Sequence, residues 1–397
     1  MPAPVRARTE SRGRECPAMS KRSVKPSRPL RRLAGRLLDA LAGSYRFNAS
    51  WREANRDLVC GQQTPRLGGL AYAPPPARYG CADPVAGAAV APPQAERADG
   101  ARPLFITARF RSGSTLVWNI FRHTPGVTAF YEPLNERQWF RAGGADPEAT
   151  DPTHLYAERY GAEYAGFEDL SPWFDPDWTW RELYMDARSC DRRLARYLAE
   201  LIRRAPARPV LQCNRLDFRL PWLRVVFPGA DILHLYRNPR EQWLSVQRSS
   251  SGCPPDQKLT LDTPEDYFYT LEWARDLRRV FPCVDPAQHE HAYAVHYLLW
   301  RLSFLFGQRY ADVSIAYEDL LHDPAGTLGP VFARLGIDNS ELARTGYAAL
   351  IKAPAPEGWP QYADAGWFAA IESDCEHELA RLLGAPGGAS GTGQAPA

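Results

Sequence analysis

Short runs of apolar residues recur between residues 103 and 317, and each run has the length of a single β-strand. The runs are PLFIT (103–107), VTAFY (127–131), PVLQCN (209–214), DILHLY (231–236) and DVSIAY (312–317). Most positions within a run are apolar, instead of every second position. Such runs predict strands that are buried on both faces, as in a parallel sheet.

Stretches with the periodicity of an α-helix separate these runs. The pattern predicts helices at Thr115–His123, Trp178–Arg204, Pro239–Ser249, 264–280 and 286–308, and one in DPAGTLGPVFARLG that Gly336 ends. Strands that alternate with helices indicate a sheet that is covered on both faces. We therefore predict an α/β protein with three layers, α/β/α, around a mostly parallel central sheet.

Composition divides the chain into five segments. Residues 1–29 are rich in Arg, Pro and Ser and are expected to form a disordered basic tail. Residues 30–60 are expected to be a helical N-terminal segment, and residues 61–102, which are dense in Pro, Gly and Ala, an extended linker. Residues 103–384 then form the main domain, and residues 385–397 a second disordered tail.

The positive charge of the chain is concentrated at its N-terminal end. Residues 1–36 hold 11 Lys or Arg and two Glu, a charge of +9 within a net charge of +2, so the remainder carries −7. The stretch Leu30–Gly43 has leucines on one helical face and arginines on the other. It either packs against the main domain, which we favour, or makes a peripheral membrane contact. The basic tail is interpreted as solubilising, and a nucleic-acid partner is not predicted.

The rest of the sequence favours a cytoplasmic protein. No apolar stretch reaches the ~18 residues that a membrane span requires, and no secretory signal is recognisable. The eight Cys contain no C-x-x-C pair, so they indicate reduced thiols and neither a zinc nor a redox motif.

The first predicted strand is followed by ARFRSGST and then by a helix. This is the arrangement of a phosphate-binding P-loop, in which the first amides of the helix face an anion. On the template G-x-x-x-x-G-K-[ST], Gly113 and Thr115 match, Ser114 replaces the Lys, and the positive charge lies earlier, at Arg111 before Ser112. We predict a P-loop NTPase-like fold. The alternative is an ordinary strand–helix turn that is rich in Ser and Gly.

A phosphosulfate suits this loop better than a triphosphate. A sulfuryl group in transfer carries less negative charge than a phosphoryl group, so a guanidinium and helix amides suffice to stabilise it. No metal ion is expected. His289, His291 and His296 do not share one helical face and do not form a predicted metal site.

Three stretches resemble the sulfotransferase family that uses 3′-phosphoadenosine 5′-phosphosulfate. FITARFRSGSTLVWNIF is similar to the family's 5′-phosphosulfate loop, in the Arg form of its carbohydrate and bacterial members. LHLYRNPREQWLSV is similar to its 3′-phosphate segment, with Arg237 and Ser245 on the binding positions. IAYEDLLHDPAGTLGPVFARLG is a weaker match. The resemblance implies transfer of a sulfuryl group to an acceptor hydroxyl, and it favours a carbohydrate or glycolipid-like alcohol.

The residues of the second stretch support this interpretation on chemical grounds. A 3′-phosphate is a dianion near neutral pH, which the planar guanidinium of Arg237 can bind at a strand end. Ser245 adds a hydroxyl without charge. The alternative is that Arg237 pairs with Glu241 and that Ser245 faces solvent.

The reaction also needs a group that removes the proton of the acceptor. The resemblance implies a carboxylate in the Glu-Pro stretch, which is Glu132 here, and Glu136 is the second candidate. The cytosolic branch of the family uses a His instead, for which His123 and His234 are available. His123 is a more natural helix cap, and His234 a more natural core residue.

The remaining roles follow from the resemblance. Arg111 would stabilise the leaving phosphate oxygen, and Thr115 would bind the 5′-phosphate. Tyr317 either touches the nucleotide or is a core residue, and Lys352 is a candidate substitute for a C-terminal phosphate-binding loop that is not recognisable. Two other functions remain open at this point, namely a P-loop kinase or NTPase and a non-catalytic nucleotide-binding protein.

Four tryptophans lie between the second and third predicted strands, at positions 139, 173, 178 and 180. They either line an acceptor pocket or pack in the core, and we favour the core.

Overall fold

Seven stretches of the chain are described by the computed structural model. They are residues 70–76, 102–142, 160–248, 252–259, 268–340, 350–351 and 357–384. All of them belong to the unit Pro65–Ala397. The predicted segments 1–29, 30–60 and 385–397 lie outside the described residues, as do Lys352 and most of the predicted linker.

The central sheet has five parallel strands. They are β1 (Leu104–Ala108), β2 (Val127–Tyr131), β3 (Arg208–Gln212), β4 (Asp231–Tyr236) and β5 (Val313–Ala316), in the spatial order β2-β3-β1-β4-β5. The five apolar runs therefore predicted the strands to within one or two residues. β1 is the central strand, and its side chains are fully buried.

Helices connect and cover these strands. They are α1 (Ser114–Arg122), α2 (Arg192–Arg204), α3 (Leu220–Val226), α4 (Pro239–Gln247), α5 (Thr270–Leu277), α6 (Ala292–Tyr310), α7 (Tyr317–His322), α8 (Pro324–Leu335) and α9 (Ala365–Leu383). β2 lies two strands to one side of β1. From β2 onward the chain runs back across the sheet, through β3 and past β1 to β4 and β5. Because such crossovers are right-handed, this reversal puts helices on both faces. The predicted three-layer α/β/α fold is confirmed.

One predicted helix, Trp178–Arg204, is wrong in its first half. The α-helix begins only at Arg192, after Asp191, whose Oδ1 accepts the Leu194 N–H at 2.8 Å. Upstream, the buried guanidinium of Arg219 donates to the carbonyls of Trp178, Arg181 and Glu182 at 2.8–3.1 Å. Bonds from a residue distant in sequence therefore replace the helical bonds that the periodicity predicted.

Two other boundaries also differ from the sequence prediction. The helix predicted at 286–308 begins at Ala292, because Pro286–Gln288 forms a separate 3₁₀ turn and His291 caps α6. Tyr317 does not end β5 but begins α7. Only the part of the predicted helix 264–280 from residue 268 onward is described, and it contains α5.

The parallel sheet determines where the functional candidates lie. The residues that directly follow the five strands all lie at the same edge of the sheet; they are Arg109, Glu132, Cys213, Arg237 and Tyr317. In open α/β sheets this carboxyl edge is where ligands bind.

Candidate functional site

The loop between β1 and α1 has the backbone of an anion-binding turn. Gly113 is the N-cap of α1 at φ 90°, and the first helical bonds run from Leu116 and Val117 to its carbonyl oxygen. The amides before Leu116 therefore precede the hydrogen-bond ladder of the helix and form its positive end. A Cβ at Gly113 would overlap the ring of Tyr317, so a glycine is required for space as well as for conformation.

The hydroxyl groups of the loop bond to other parts of the protein. Gln242 of α4 donates from Nε2 to the carbonyl of Phe110 at 2.6 Å and to Oγ of Ser112 at 2.7 Å. Thr115 Oγ1 lies 3.0 Å from the hydroxyl of Tyr131 at the end of β2. Ser112 and Thr115 are both buried. These bonds hold the loop in shape, and the sequence did not single out Gln242 or Tyr131.

The loop contains two arginines in different environments. Arg109 is buried, its guanidinium lies 4.5 Å from the ring of Trp273, and burial lowers its pKa to about 10. Arg111 is partly buried and donates from Nε to Oγ of Ser245 at 3.0 Å. The structure therefore directs only the second arginine toward the other predicted phosphate ligands.

The two predicted anion-binding segments meet at this point. Arg237 donates from Nη1 to the carbonyl of Arg111 at 3.1 Å, and its guanidinium carbon lies 4.8 Å from the ring of Tyr317. Arg111, the pair Arg237 and Ser245, and Tyr317 come from three separate parts of the chain, yet the described contacts join them into one cluster beside Gly113.

The alternative pairing of Arg237 is weak in this geometry. Its Nη2 lies 3.8 Å from the carboxylate of Glu241, beyond hydrogen-bond distance. Glu241 accepts the N–H groups of Gly358 at 2.6 Å and Trp359 at 3.0 Å. Ser245 is partly buried beside Arg111, so the alternative of a solvent-facing serine does not describe it.

Backbone contacts hold the end of β4 in place. Trp300 of α6 donates from Nε1 to the carbonyl of Arg237 at 2.9 Å, and Glu318 accepts the N–H of Asn238 at 2.9 Å. The Asn238 side chain caps α4 by accepting the N–H of Arg240. Arg237 is therefore held at a strand end that three other segments support.

A second cluster lies at the ends of β2 and β3. Arg215 is 2% exposed, and its guanidinium pairs with Glu132 at 2.7 Å and with Glu136 at 2.6 Å. Gln212 of β3 lies 3.4 Å from the other oxygen of Glu132. Tyr269 donates its hydroxyl to Glu136. Both predicted carboxylates are thus held by one arginine that the sequence did not single out.

The two carboxylates differ in exposure. The side chain of Glu132 is 3% exposed, and that of Glu136 is 33% exposed. Burial raises the pKa of Glu132 above its ordinary value, and the neighbouring Arg215 counteracts part of this rise. Glu132 has φ 44°, a backbone conformation that is costly for a residue other than glycine and is frequent at functional sites.

The two candidate histidines lie elsewhere. His123 caps α1, with Nδ1 2.8 Å from the carbonyl of Asn119. His234 lies in β4, 2.7 Å from Oγ of Ser314 and in contact with Gly307 of α6, and burial lowers its pKa to about 3. Neither histidine shares a described contact with Arg111 or Glu132.

Four tryptophans were candidates for the acceptor pocket or the core. Trp139 and Trp178 are buried, whereas Trp173 and Trp180 are partly buried against the core. Trp180 lies 5.9 Å from the ring of Tyr269, which places it beside the second cluster.

Neither a metal site nor a membrane span occurs in the described stretches. Within them, no group of three or more His, Cys, Asp or Glu is arranged to bind a metal ion. In the same stretches, every helix is too short or too polar to cross a bilayer.

Comparison with known proteins identifies one family. Residues 103–341, more than half of the chain, match the model described as "Sulfotransferase family". No curated protein sequence matches the chain. Solved structures with a similar arrangement include a sulfotransferase from Alicyclobacillus acidocaldarius, at 16% identity over 72% of this chain and 97% of that one, with a TM-score of 0.33.

Two further solved structures show a comparable similarity. Sulfotransferase STF9 from Mycobacterium avium is 14% identical over 72% of this chain and 77% of its own, with a TM-score of 0.37. Mouse sulfotransferase SULT7A1, complexed with PAP, is 15% identical over 70% of this chain and 88% of its own, with a TM-score of 0.34.

Proposed function

This chain belongs to the sulfotransferase family, whose members transfer sulfuryl groups, and we propose that its donor is 3′-phosphoadenosine 5′-phosphosulfate and its acceptor an alcohol. For the acceptor we propose a carbohydrate or glycolipid-like alcohol, on the resemblance of the Arg-Ser-Gly-Ser-Thr loop and of the Glu-Pro stretch. The cluster around Arg111 and Arg237 would bind the donor, and the cluster around Glu132 and Glu136 would face the acceptor.

One observation carries the donor assignment, which is that Arg111 and Arg237 converge. The donor carries a phosphosulfate on the 5′ side of its ribose and a phosphate on the 3′ side, so a protein that binds it needs two neighbouring cationic positions. Arg237 with Ser245 would bind the 3′-phosphate, and Arg111 with the amides of α1 would bind the 5′-phosphosulfate. Tyr317 would contact the nucleotide between them.

The carboxylate cluster would supply the base. The acceptor oxygen attacks sulfur and forms a new S–O bond, while the bond from sulfur to the bridging phosphate oxygen breaks. The acceptor proton passes to Glu132, and the electron pair of the broken bond stays on the phosphate oxygen. Arg111 and the first amides of α1 would stabilise that negative charge, and Ser112, Gly113, Ser114 and Thr115 of the loop would bind the 5′-phosphosulfate.

Glu132 is our proposal for the base because its environment suits proton acceptance. Its desolvation raises its pKa, which makes it a stronger base, and Arg215 aligns its carboxylate. Glu136 shares Arg215 and is the second candidate.

A thermal-shift titration with adenosine 3′,5′-bisphosphate tests the donor assignment. A ligand that binds only the folded protein, at 100 times its Kd, stabilises it by about 2.7 kcal/mol, which raises Tm by several degrees for a domain of this size. We expect this rise with and without EDTA, and we expect Arg237→Ala to abolish it.

Arg203→Ala is the matched control, because Arg203 is an exposed arginine on α2 that pairs with Glu200. It should leave the rise unchanged. A larger, EDTA-sensitive rise with ATP and Mg²⁺ would favour a kinase or NTPase instead.

A further inference from the structure

Phe268 and Tyr269 connect the two halves of the site. The guanidinium carbon of Arg111 lies 5.6 Å from the ring of Phe268. The hydroxyl of the next residue, Tyr269, donates to Glu136, and its ring lies 5.7 Å from the guanidinium carbon of Arg215. Both residues have positive φ, 57° and 61°, immediately before α5. This dipeptide therefore extends from the proposed donor ligand to the proposed base.

Two more rings extend this surface. Phe110 lies 6.0 Å from Phe268 and 5.6 Å from Tyr269, and Trp180 lies 5.9 Å from Tyr269. We name these four residues the aromatic wall. Phe268, Tyr269 and Trp180 are only partly buried. The wall contacts Arg111 at one end and Glu136 at the other.

The charge beside the wall is negative when both carboxylates are ionised. Glu132 and Glu136 carry two negative charges, and Arg215 between them carries one positive charge. The neighbouring Glu272 pairs with Arg181 at 3.3 Å and with Arg275 at 3.5 Å, and the charge of Arg275, whose side chain is 39% exposed, is screened by water. Arg109, 5.8 Å from the ring of Phe110, is balanced by the carboxylate of Asp217. Arg111 would be neutralised by the donor. An anionic acceptor placed here would be repelled, because the surplus charge lies in a partly desolvated setting.

We propose that the acceptor is uncharged next to its reacting hydroxyl and lays the apolar face of a ring on the aromatic wall. The inference rests on the proposed function, since it requires the acceptor to lie between Arg111 and Glu132. It selects neutral sugar rings and neutral glycolipid head groups, and it rejects polyanionic glycans.

Three ring ligands that differ in charge test whether the site excludes an anionic acceptor. The probes are p-nitrophenyl β-glucoside, p-nitrophenyl β-glucuronide and the methyl ester of the glucuronide, titrated by ligand-detected NMR with adenosine 3′,5′-bisphosphate present. We expect the glucoside and the ester to bind alike and the free glucuronide at least tenfold more weakly. Glucuronide that binds as tightly as its ester, or neutral ligands that do not bind, would overturn the inference.

Glu136→Gln then assigns the repulsion to the cluster. The substitution removes one charge with little change of shape, so the ratio of ester to glucuronide affinity should fall at least threefold. Glu200→Gln, at an exposed carboxylate on α2, is the matched control and should leave the ratio unchanged. An unchanged ratio in Glu136→Gln contradicts the inference.

Two further measurements separate the possible failures. Trp180→Leu should weaken both neutral ligands and leave bisphosphate affinity unchanged, because Trp180 lies against Tyr269, on the side of the wall that carries the carboxylate cluster. If the bisphosphate itself fails to bind, the proposed donor is wrong. If it binds while all three ring ligands bind equally, only the acceptor inference is wrong.

Discussion

At the scale of single residues, the chemistry of Glu132 depends on Arg215. Burial alone raises the pKa of this carboxyl, so ionising it opposes folding, and the stability associated with its neutral form is lost as pH rises through the folded-state pKa. Arg215 limits that loss because its guanidinium contacts the charged form at 2.7 Å.

Arg215→Met should therefore raise the pKa of Glu132 further and destabilise the fold more at pH 8 than at pH 5. Breaking a buried ion pair costs about 3–5 kcal/mol, and protonation of the carboxyl at low pH should relieve part of that cost. Denaturant unfolding at both pH values and ¹³C NMR of labelled glutamate measure the two effects. Glu136 also pairs with Arg215, so Glu136→Gln is measured in parallel to identify the NMR signal of the Glu136 carboxyl. A penalty that does not change with pH would contradict the coupling.

Substituting the two carboxylates separately distinguishes the base from its neighbour. Glu132→Gln should lower sulfuryl transfer by about 10²–10⁴-fold, the usual contribution of a general base. Bisphosphate affinity should stay the same, because Glu132 contacts Arg215 and Gln212 and not the phosphate ligands. Glu136→Gln should have the smaller effect on the rate. The reverse order would make Glu136 the base.

At the scale of elements, the turn between β1 and α1 is in close contact with α7, because the ring of Tyr317 lies against Gly113. Gly113 and Gly126 both have positive φ, 90° and 75°, but only Gly113 has a ring against the position of its missing Cβ. Gly126→Ala should cost about 1 kcal/mol of stability from backbone strain alone.

Gly113→Ala should cost more and should also weaken bisphosphate binding at least tenfold, because Tyr317 must move. Thermal unfolding and a bisphosphate titration of the two variants measure this difference. Equal effects of the two substitutions on affinity would show that the contact with Tyr317 is irrelevant to the ligand.

At the scale of the whole molecule, the proposed donor site is assembled from segments far apart in sequence. Bisphosphate binding should slow hydrogen exchange together in residues 109–116, in 237–245 and in 317–321, because these segments meet at Arg111 and Arg237. α2 lies on another part of the sheet and should show no change. Protection of only one of the three segments would contradict a shared site.

The sequence predicted much of this architecture because local signals carried it. Apolar runs predicted five strands, and Gly336 predicted where a helix ends. The prediction was wrong in the first half of Trp178–Arg204, where the backbone bonds to Arg219, which is distant in sequence. Periodicity indicates which residues can face a core. It does not indicate which buried side chain donates hydrogen bonds to the backbone carbonyl groups.

The sequence by itself determined the parallel α/β fold, because strand and helix patterns are local. It also supplied the residue types of two predicted anion-binding segments, because their spacing is a property of the chain. Only the tertiary structure decided that Arg111 and not Arg109 faces Ser245, and that Arg215 joins Glu132 to Glu136. It also brought Phe268 and Tyr269 between them. These outcomes depend on the order of the strands in the sheet and on burial. They bring together Arg111 and Ser245, which are 134 positions apart, and Tyr269 and Glu136, which are 133 positions apart.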